Sequence, residues 1–349
     1  MKRNETLKIK VGNIYIGGQN NVLIQSMCKH KTSHVEEVVN EINECAKLGA
    51  DLMRVSVLDE EDALAIKEIK KSISIPLVAD IHFDSRLALL AIKSGADKIR
   101  LNPGNIKDEA KIKEVVELAK EYNVPIRVGA NSGSIDPDFD KQDISLCEKL
   151  VYSAKKEVEL LEKFGFKNIV ISLKASDIKE TIKAYRLASE TFPYPLHIGI
   201  TEAGPSEISL IRSVAGLAPI LLEGIGNTIR ISITGSAQEE VKAAKRLLHD
   251  CELYDNYPTF ISCPTCGRTQ VDTKSLVKRV LSYLEDNNIK LTVAIMGCVV
   301  NGPGEAKNAD VGVAGGKGEY AIFKKGKVIK KVPEAEAYDT LINEINSLV

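Results

Sequence analysis

Eight short β-branched runs, each followed by a stretch with helical periodicity, recur along the first 235 residues, and this repetition constrains the fold more than any other feature of the chain. The first four runs are VLIQS (22–26), LMRVSV (52–57), PLVADIH (76–82) and KIRLN (98–102). The second four are PIRVGAN (125–131), NIVISLK (168–174), PLHIGIT (195–201) and TIRISIT (228–234). Between them lie segments such as HVEEVVNEINECAKLG (34–49) and DEAKIKEVVELAKEYN (108–123), whose apolar residues recur at helical spacing. Gly49 and Asn123 fit as their C-terminal stops. Eight strand–helix pairs predict an α/β chain whose N-terminal part is a (β/α)8 TIM barrel. A doubly wound sheet, which more often has fewer strands, is the alternative. Ahead of the repeats, LKIKVGNIYIGG (7–18) alternates around Gly12-Asn13, which predicts a β-hairpin covering the N-terminal mouth of the barrel.

In a barrel of this kind, function collects where strands end and βα loops begin. Those ends carry Arg54, Asp80 with His82, Arg100 with Asn102, Arg127 with Asn131, Lys174, Thr201 with Glu202, and Arg230 with Ser232. Five cations therefore meet two carboxylates at one mouth, in a chain of formal net charge -1. Long cations are costly to desolvate without a partner. Inter-strand salt bridges are one explanation. A polyanionic ligand, most simply a diphosphate, is the sharper one, because arginine forks match phosphate oxygens. The loops EAGPSE (202–207) and TGSAQEE (234–240) place Ser206 and Ser236 at the starts of the seventh and eighth helices, the usual phosphate seat of such barrels. His197, inside its strand, reads as a core histidine.

After the helix AQEEVKAAKRLLHD (237–250) the chain loses its period, so the barrel is expected over 1–250, a linker over 251–258 and a small α+β domain over 259–349. That domain contains SCPTCGRT (262–269), with two thiols at C-x-x-C spacing, and Cys298 at a predicted strand end opening a Gly/Pro-rich loop to Glu305. Cys263, Cys266, Cys298 and Glu305 can thus surround one metal centre. Three thiolates with one harder donor suit either Zn²⁺ or an iron–sulfur cluster. The domain has no histidine, and a carboxylate fourth ligand leaves a replaceable position, which favours a catalytic 4Fe–4S cluster over a structural zinc.

Composition excludes other classes. Hydrophobic residues make up 44% and charged residues 27% of the chain, as in an ordinary folded protein. With net charge -1, neither nucleic acid nor an anionic membrane is expected as main partner. The opening MKRNETLKIK lacks the apolar core of a signal peptide, and AGLAPILLEG (215–224) is too short to span a bilayer. A cytoplasmic location follows as the expectation, with the seven cysteines kept as thiols. GIG (224–226) is followed by a strand, so no dinucleotide fingerprint is present. The basic hairpin KKGKVIKK (324–331) reads as a solvated turn, with docking of an acidic partner as the alternative.

Together, CPTCGRT, CVVNGPGE, ADIHFD, RLNPGN, RVGANSGS, SLKAS, GITEAG and TIRIS closely resemble the 4-hydroxy-3-methylbut-2-enyl diphosphate synthase family, iron–sulfur enzymes of the methylerythritol phosphate route to isoprenoids. The absence of a large insertion between barrel and cluster domain is similar to the two-domain bacterial form. The resemblance implies that Cys263, Cys266, Cys298 and Glu305 ligate a 4Fe–4S cluster. It implies 2-C-methyl-D-erythritol 2,4-cyclodiphosphate as substrate, with its diphosphate held by Arg54, Arg100, Arg127, Lys174, Arg230 and Ser232. Asn131, Thr201, Glu202, Asp80 and His82 would then handle hydroxyls and protons. Glu202 is the candidate proton donor, with ion pairing to a neighbouring arginine as its competing role. Flavodoxin or ferredoxin is the expected electron donor. A helix returning roughly 20 Å from the mouth at 1.5 Å per residue starts the cluster domain at the wrong end of its own barrel. A homodimer with each active site shared between subunits is therefore expected.

Overall fold

The computed structural model describes every residue except 82–83, 103–105, 107, 134, 202–203 and 299–305. The chain divides into two units, Met1–Tyr254 and Asp255–Val349. In the first, strands β3 (Leu23–Met27), β4 (Leu52–Ser56), β5 (Leu77–Asp80), β6 (Lys98–Arg100), β7 (Ile126–Asn131), β8 (Ile169–Lys174), β9 (His197–Ile198) and β10 (Thr228–Ile229) coincide with the eight runs. They pair in parallel in the order β8-β7-β6-β5-β4-β3-β10-β9. An isolated parallel bridge from Ile171 to Leu196 brings the two edge strands together, so the ring is nearly closed.

The helices form because their apolar stripes face this ring and their starts are capped. Asp59, Asp84, Asp108 and Asp177 cap α2 (Glu60–Lys71), α3 (Ser85–Lys93), α4 (Glu109–Glu121) and α7 (Ile178–Thr191), each accepting from a first-turn N–H. Both predicted stops are in place. Gly49 ends α1 (Val35–Leu48) with φ 106°, and Asn123 follows α4 with φ 55°.

The opening hairpin, β1 (Ile9–Val11) and β2 (Ile14–Ile16), turns through Gly12-Asn13 as expected. Its Ile9, Val11 and Ile16 pack on Leu52, Val78 and Val170, which plugs the barrel interior from the N-terminal end. Because side chains alternate along a strand, Arg54, Asp80 and Ser172 face the same interior one step further along. Apolar residues seal the bottom, and polar ones continue to the top.

Residues 251–254, expected in a linker, belong to the barrel. Leu253 N donates to Leu248 O at 2.8 Å, and the Tyr254 ring lies under Lys245 Nζ at 5.4 Å. The second unit is a five-stranded sheet of order β11-β12-β13-β14-β15. β11 (Thr259–Ser262), β12 (Thr292–Met296) and β13 (Val311–Gly315) are parallel, while β14 (Glu319–Lys324) and β15 (Lys327–Pro333) continue antiparallel. Helices α10 (Thr273–Asp286) and α11 (Ala337–Asn346) bury Leu276, Val280, Leu341 and Ile345 against Val293, Ile295, Val311 and Ile322. The small domain is α+β, as the pattern predicts.

Candidate active site

The C-terminal strand ends of the barrel enclose a cavity of about 280 Å³. Of the set read from the strand ends, it gathers Arg54, Asp80, Arg100, Arg127, Asn131, Lys174, Thr201, Arg230 and Ser232. His82 and Glu202 lie outside the described residues. Asn102 is not part of the lining; its Oδ1 accepts from Gly129 N at 3.2 Å and steadies β7.

Each cation is held differently. Asp80 stands between two arginines, with Oδ2 3.4 Å from Arg54 Nε and Oδ1 3.3 Å from Arg100 Nη1. Arg54 also directs Nε and Nη2 at the Met27 thioether, 3.2 and 2.9 Å away. Burial pushes Arg54 down to about 10; Asp80 opposes the shift and Arg230 and Arg100 add to it. The group therefore stays charged at neutral pH.

Arg230 is clamped by Glu240, which accepts from its Nε at 3.1 Å and its Nη2 at 3.0 Å. Glu240 also accepts from Ser26 Oγ at 2.7 Å, Lys29 Nζ at 2.7 Å and Ile233 N at 3.2 Å. Burial alone would raise the Glu240 carboxyl, but Arg230 and Lys29 outweigh it and the net shift is downward. Arg127 is the contrast. It is 3% exposed, and neither Nε nor Nη1 finds an acceptor among the described residues. Burial first, then Arg54, drives its guanidinium well below the ordinary range, and burial with Arg127 and Arg230 does the same to the Lys174 amine. A pocket holding unpaired, desolvated donors favours an anion that satisfies them.

Sequence reading missed Met27, Gly129, Ser172 and Glu240. Glu240 is one of two adjacent acids in the first turn of α9 (Ala237–Asp250), and adjacent acids there usually signal only a helix start. Glu239 does close a capping box with Ser236, while Glu240 turns inward. Of the two helix starts offered as a phosphate seat, that of α9 is thus occupied by its own box. The start of α8 (Ser206–Leu222), behind Pro205, has no side-chain cap.

In the second unit, Ser262 of β11 pairs in register with Ile295 of β12, so Cys263 and Cys298 leave adjacent parallel strands at the same end. Gly297 N donates to Cys263 Sγ at 3.1 Å, an orientation suited to a thiolate. Gly297 is needed there, since a Cβ would stand 2.9 Å from Thr269 Oγ1, in the turn that carries Cys266. Cys263, Cys266 and Cys298 are free thiols, and none of the three is fully buried. Glu305 lies outside the described residues. Among the described residues no three His, Cys, Asp or Glu side chains gather closely enough for a single metal ion. Thiols on neighbouring strand ends, with a backbone N–H aimed at sulfur, nevertheless match in donor chemistry what a polynuclear iron–sulfur group uses. The basic hairpin is elsewhere. β14 starts at the thiol end and runs six residues away from it, so the Lys325–Gly326 tip stands at the opposite end of the sheet.

A cation-lined cup at the C-terminal ends of a parallel barrel places the chain among TIM-barrel enzymes that handle polyanionic ligands. The chain belongs to the GcpE family: the profile described as "GcpE TIM-barrel domain" matches residues 6–245, and "GcpE protein C-terminal domain" matches residues 259–347. It is 49% identical over 347 residues to the "4-hydroxy-3-methylbut-2-en-1-yl diphosphate synthase (flavodoxin)" of Malacoplasma penetrans, covering 99% of this chain and 95% of that protein. With the Clostridium perfringens protein of the same name it shares 49% identity over 349 residues, and each chain is covered to 100%. Among solved structures, the dihydropteroate synthase of Yersinia pestis covers 71% of this chain and 99% of its own, with a TM-score of 0.52 at 12% identity. That likeness shows the barrel fold alone.

Proposed function

We propose that this chain is a reductive synthase that opens 2-C-methyl-D-erythritol 2,4-cyclodiphosphate and eliminates water to give 4-hydroxy-3-methylbut-2-en-1-yl diphosphate. Membership of the GcpE family and near-half identity to full-length relatives bearing that product's name support the reaction. The observation that carries the substrate class is the cup itself, in which five cations meet Asp80 as the one described carboxylate of the lining. Arg54, Arg100, Arg127, Lys174, Arg230 and Ser232 bind the diphosphate, and the positive charge of the cationic members lowers the cost of the anion that develops as the ring opens. Asn131 and Thr201 orient the hydroxyls. Asp80 keeps Arg54 and Arg100 spread as a fork, besides its proposed share in proton handling with His82 and Glu202.

Cys263, Cys266 and Cys298, with Glu305 as a displaceable fourth donor, hold a 4Fe–4S cluster in this proposal. When bound, it supplies electrons and Lewis acidity for breaking a C–O bond. The curated relatives carry "(flavodoxin)" in their names, which supports a flavodoxin as electron donor, with ferredoxin as the alternative. The enzyme works in the cytoplasm as a homodimer. No helix among the described residues is long and apolar enough to cross a membrane. On α8, Ile208, Ile211, Ala215, Ala218 and Leu222 recur at spacings of three and four, and all but Ala218 are exposed. Such a stripe fits a self-complementary helix contact about a two-fold axis.

Anaerobic purification followed by turnover of the cyclic diphosphate with an artificial reductant tests the reading. Iron and acid-labile sulfide with activity, lost in Cys266→Ser and reduced in Glu305→Ala, is the expected result. Stoichiometric zinc in a colourless protein would instead make the chain a zinc-clipped barrel without redox chemistry.

A further inference from the structure

One step below the cup, on the same inward faces of the strands, the barrel holds a second polar layer. Lys98 precedes Arg100 by two residues on β6, and Thr228 of β10 stands in the same relation to Arg230 just past that strand. Lys98 and His197 are each 0% exposed. The Lys98 amine donates across the barrel to Gln25 Oε1 at 3.3 Å, its one hydrogen-bond partner among the described residues. His197 Nδ1 lies 2.7 Å from Thr228 Oγ1, while its Nε2 and the Gln25 Nε2 have no partner among the described residues.

The charges facing this amine are mostly of its own sign. Arg54 on β4 and Arg127 on β7 act on it directly. Further round the ring stand Lys174 on β8 and Arg230 just past β10, the latter neutralised from behind by Glu240. Asp80 on β5 is already engaged by Arg54 and by Arg100, which shares β6 with Lys98. His197 on β9 is itself kept neutral by burial and by Arg127, Lys174 and Lys98. β3 contributes only the neutral Gln25. An ammonium in that position has lost its water and gained no counter-ion. Burial, then Arg127 and Arg54, accordingly hold Lys98 well below the ordinary lysine range.

A diphosphate in the cup reverses the sign of the local field. Two residues of strand span roughly 6.5 Å, and Lys98 is fully buried, which weakens solvent screening of the interaction. We propose that a diphosphate entering the cup recharges Lys98, so that anion binding is coupled to uptake of a proton one layer beneath the ligand. The proposal rests on the polyanion reading of the cup and not on the redox reaction. It makes binding tighter as pH falls between the ligand-bound and free proton affinities of the amine. Lys98 is thereby a positioning residue, matching the charge of the cup to its occupant without touching it.

Calorimetric titration of the full-length protein with inorganic pyrophosphate, in buffers of different ionisation enthalpy, counts the protons exchanged and requires no turnover. Lys98→Met should take up about one proton fewer than wild type. Titration of pyrophosphate itself and of Lys174 is common to both proteins and cancels in the difference. Should the methionine variant fail to fold, Lys98→Gln removes the same titrating group while keeping a partner for Gln25. Equal proton counts in wild type and variant would overturn the proposal. Absence of pyrophosphate binding to wild type would overturn the polyanion reading beneath it, whereas a protein that binds pyrophosphate but carries no iron would leave the proton count valid.

Discussion

Arg127 and Glu240 are both buried charges of one barrel, yet their surroundings give their removal opposite signs. Arg127 keeps two donors without a partner among the described residues, so an isosteric apolar residue relieves a desolvation cost that Asp80 offsets only in part. Arg127→Met should stabilise the ligand-free protein by about 1–4 kcal/mol and abolish pyrophosphate binding, read by denaturant unfolding and calorimetry. A less stable variant would mean that Arg127 is structurally paired after all. Glu240 gathers Arg230, Lys29, Ser26 and a backbone N–H. Glu240→Gln leaves two cations uncompensated and should cost about 3 kcal/mol as well as weakening anion binding. Because the Glu240 carboxyl is depressed below its ordinary 4.5, its contribution is complete above that pH and is lost as pH falls through the depressed value. The stability difference between wild type and Glu240→Gln should therefore shrink in acid; a difference constant from neutral to strongly acidic pH would contradict the assignment. The cup's cations were legible because strand alternation brings residues such as Arg54 and Arg127 to one face. Glu240 was not, because nothing local distinguishes an inward acid from a capping one.

Among the elements, the eight strands were legible in position but not in length. β9 and β10 pair over two residues each, where runs of seven suggest more. Beyond Ile198 the chain reaches Gly199, where a Cβ would stand 2.8 Å from Arg230 O. That close approach brings the two strand ends together round the Lys174 amine, and a hydrophobicity pattern does not register it. In the second unit, C-x-x-C spacing disclosed two thiols. The third, Cys298, was legible as a residue at a strand end, but what sets it beside Cys263 is β11–β12 register, a long-range pairing that no local pattern records. The same topology revises the basic hairpin: a donor seated on its tip would stand roughly 20 Å from the thiols, six residues of strand away. Two element-level changes test these assignments. Gly297→Ala pushes a methyl into Thr269 and Thr273. It should lower iron and sulfide per chain after anaerobic reconstitution while leaving pyrophosphate binding intact, and full iron loading would refute the role given to that turn. On α8, Ile211 is 74% exposed, and Ile211→Glu should convert the proposed dimer to monomer in sedimentation. A dimer unchanged by that charge would remove α8 from the interface.

At the scale of the molecule, the two units have separate apolar cores, so a defect in one should leave the other folded. That independence makes subunit sharing testable. α9 runs fourteen residues from the cup side of the barrel, roughly 21 Å, and Leu253 and Tyr254 then pack on the barrel beyond its end. The first unit therefore terminates away from its own cup. If the thiol unit of one subunit serves the barrel of its partner, Arg54→Ala and Cys298→Ser proteins, each inactive alone, complement each other. In a mixed dimer one site pairs both lesions and the other pairs neither. Random exchange of equal amounts yields half mixed dimers, so activity should recover to about a quarter of the wild-type value per chain. Sites built within single chains would give no recovery at any ratio, because every subunit then carries one lesion in its own site. Exchange itself is confirmed by tagging one variant and recovering the other with it. Co-purification without activity would therefore exclude the shared arrangement while leaving the diphosphate cup and the thiol centre standing.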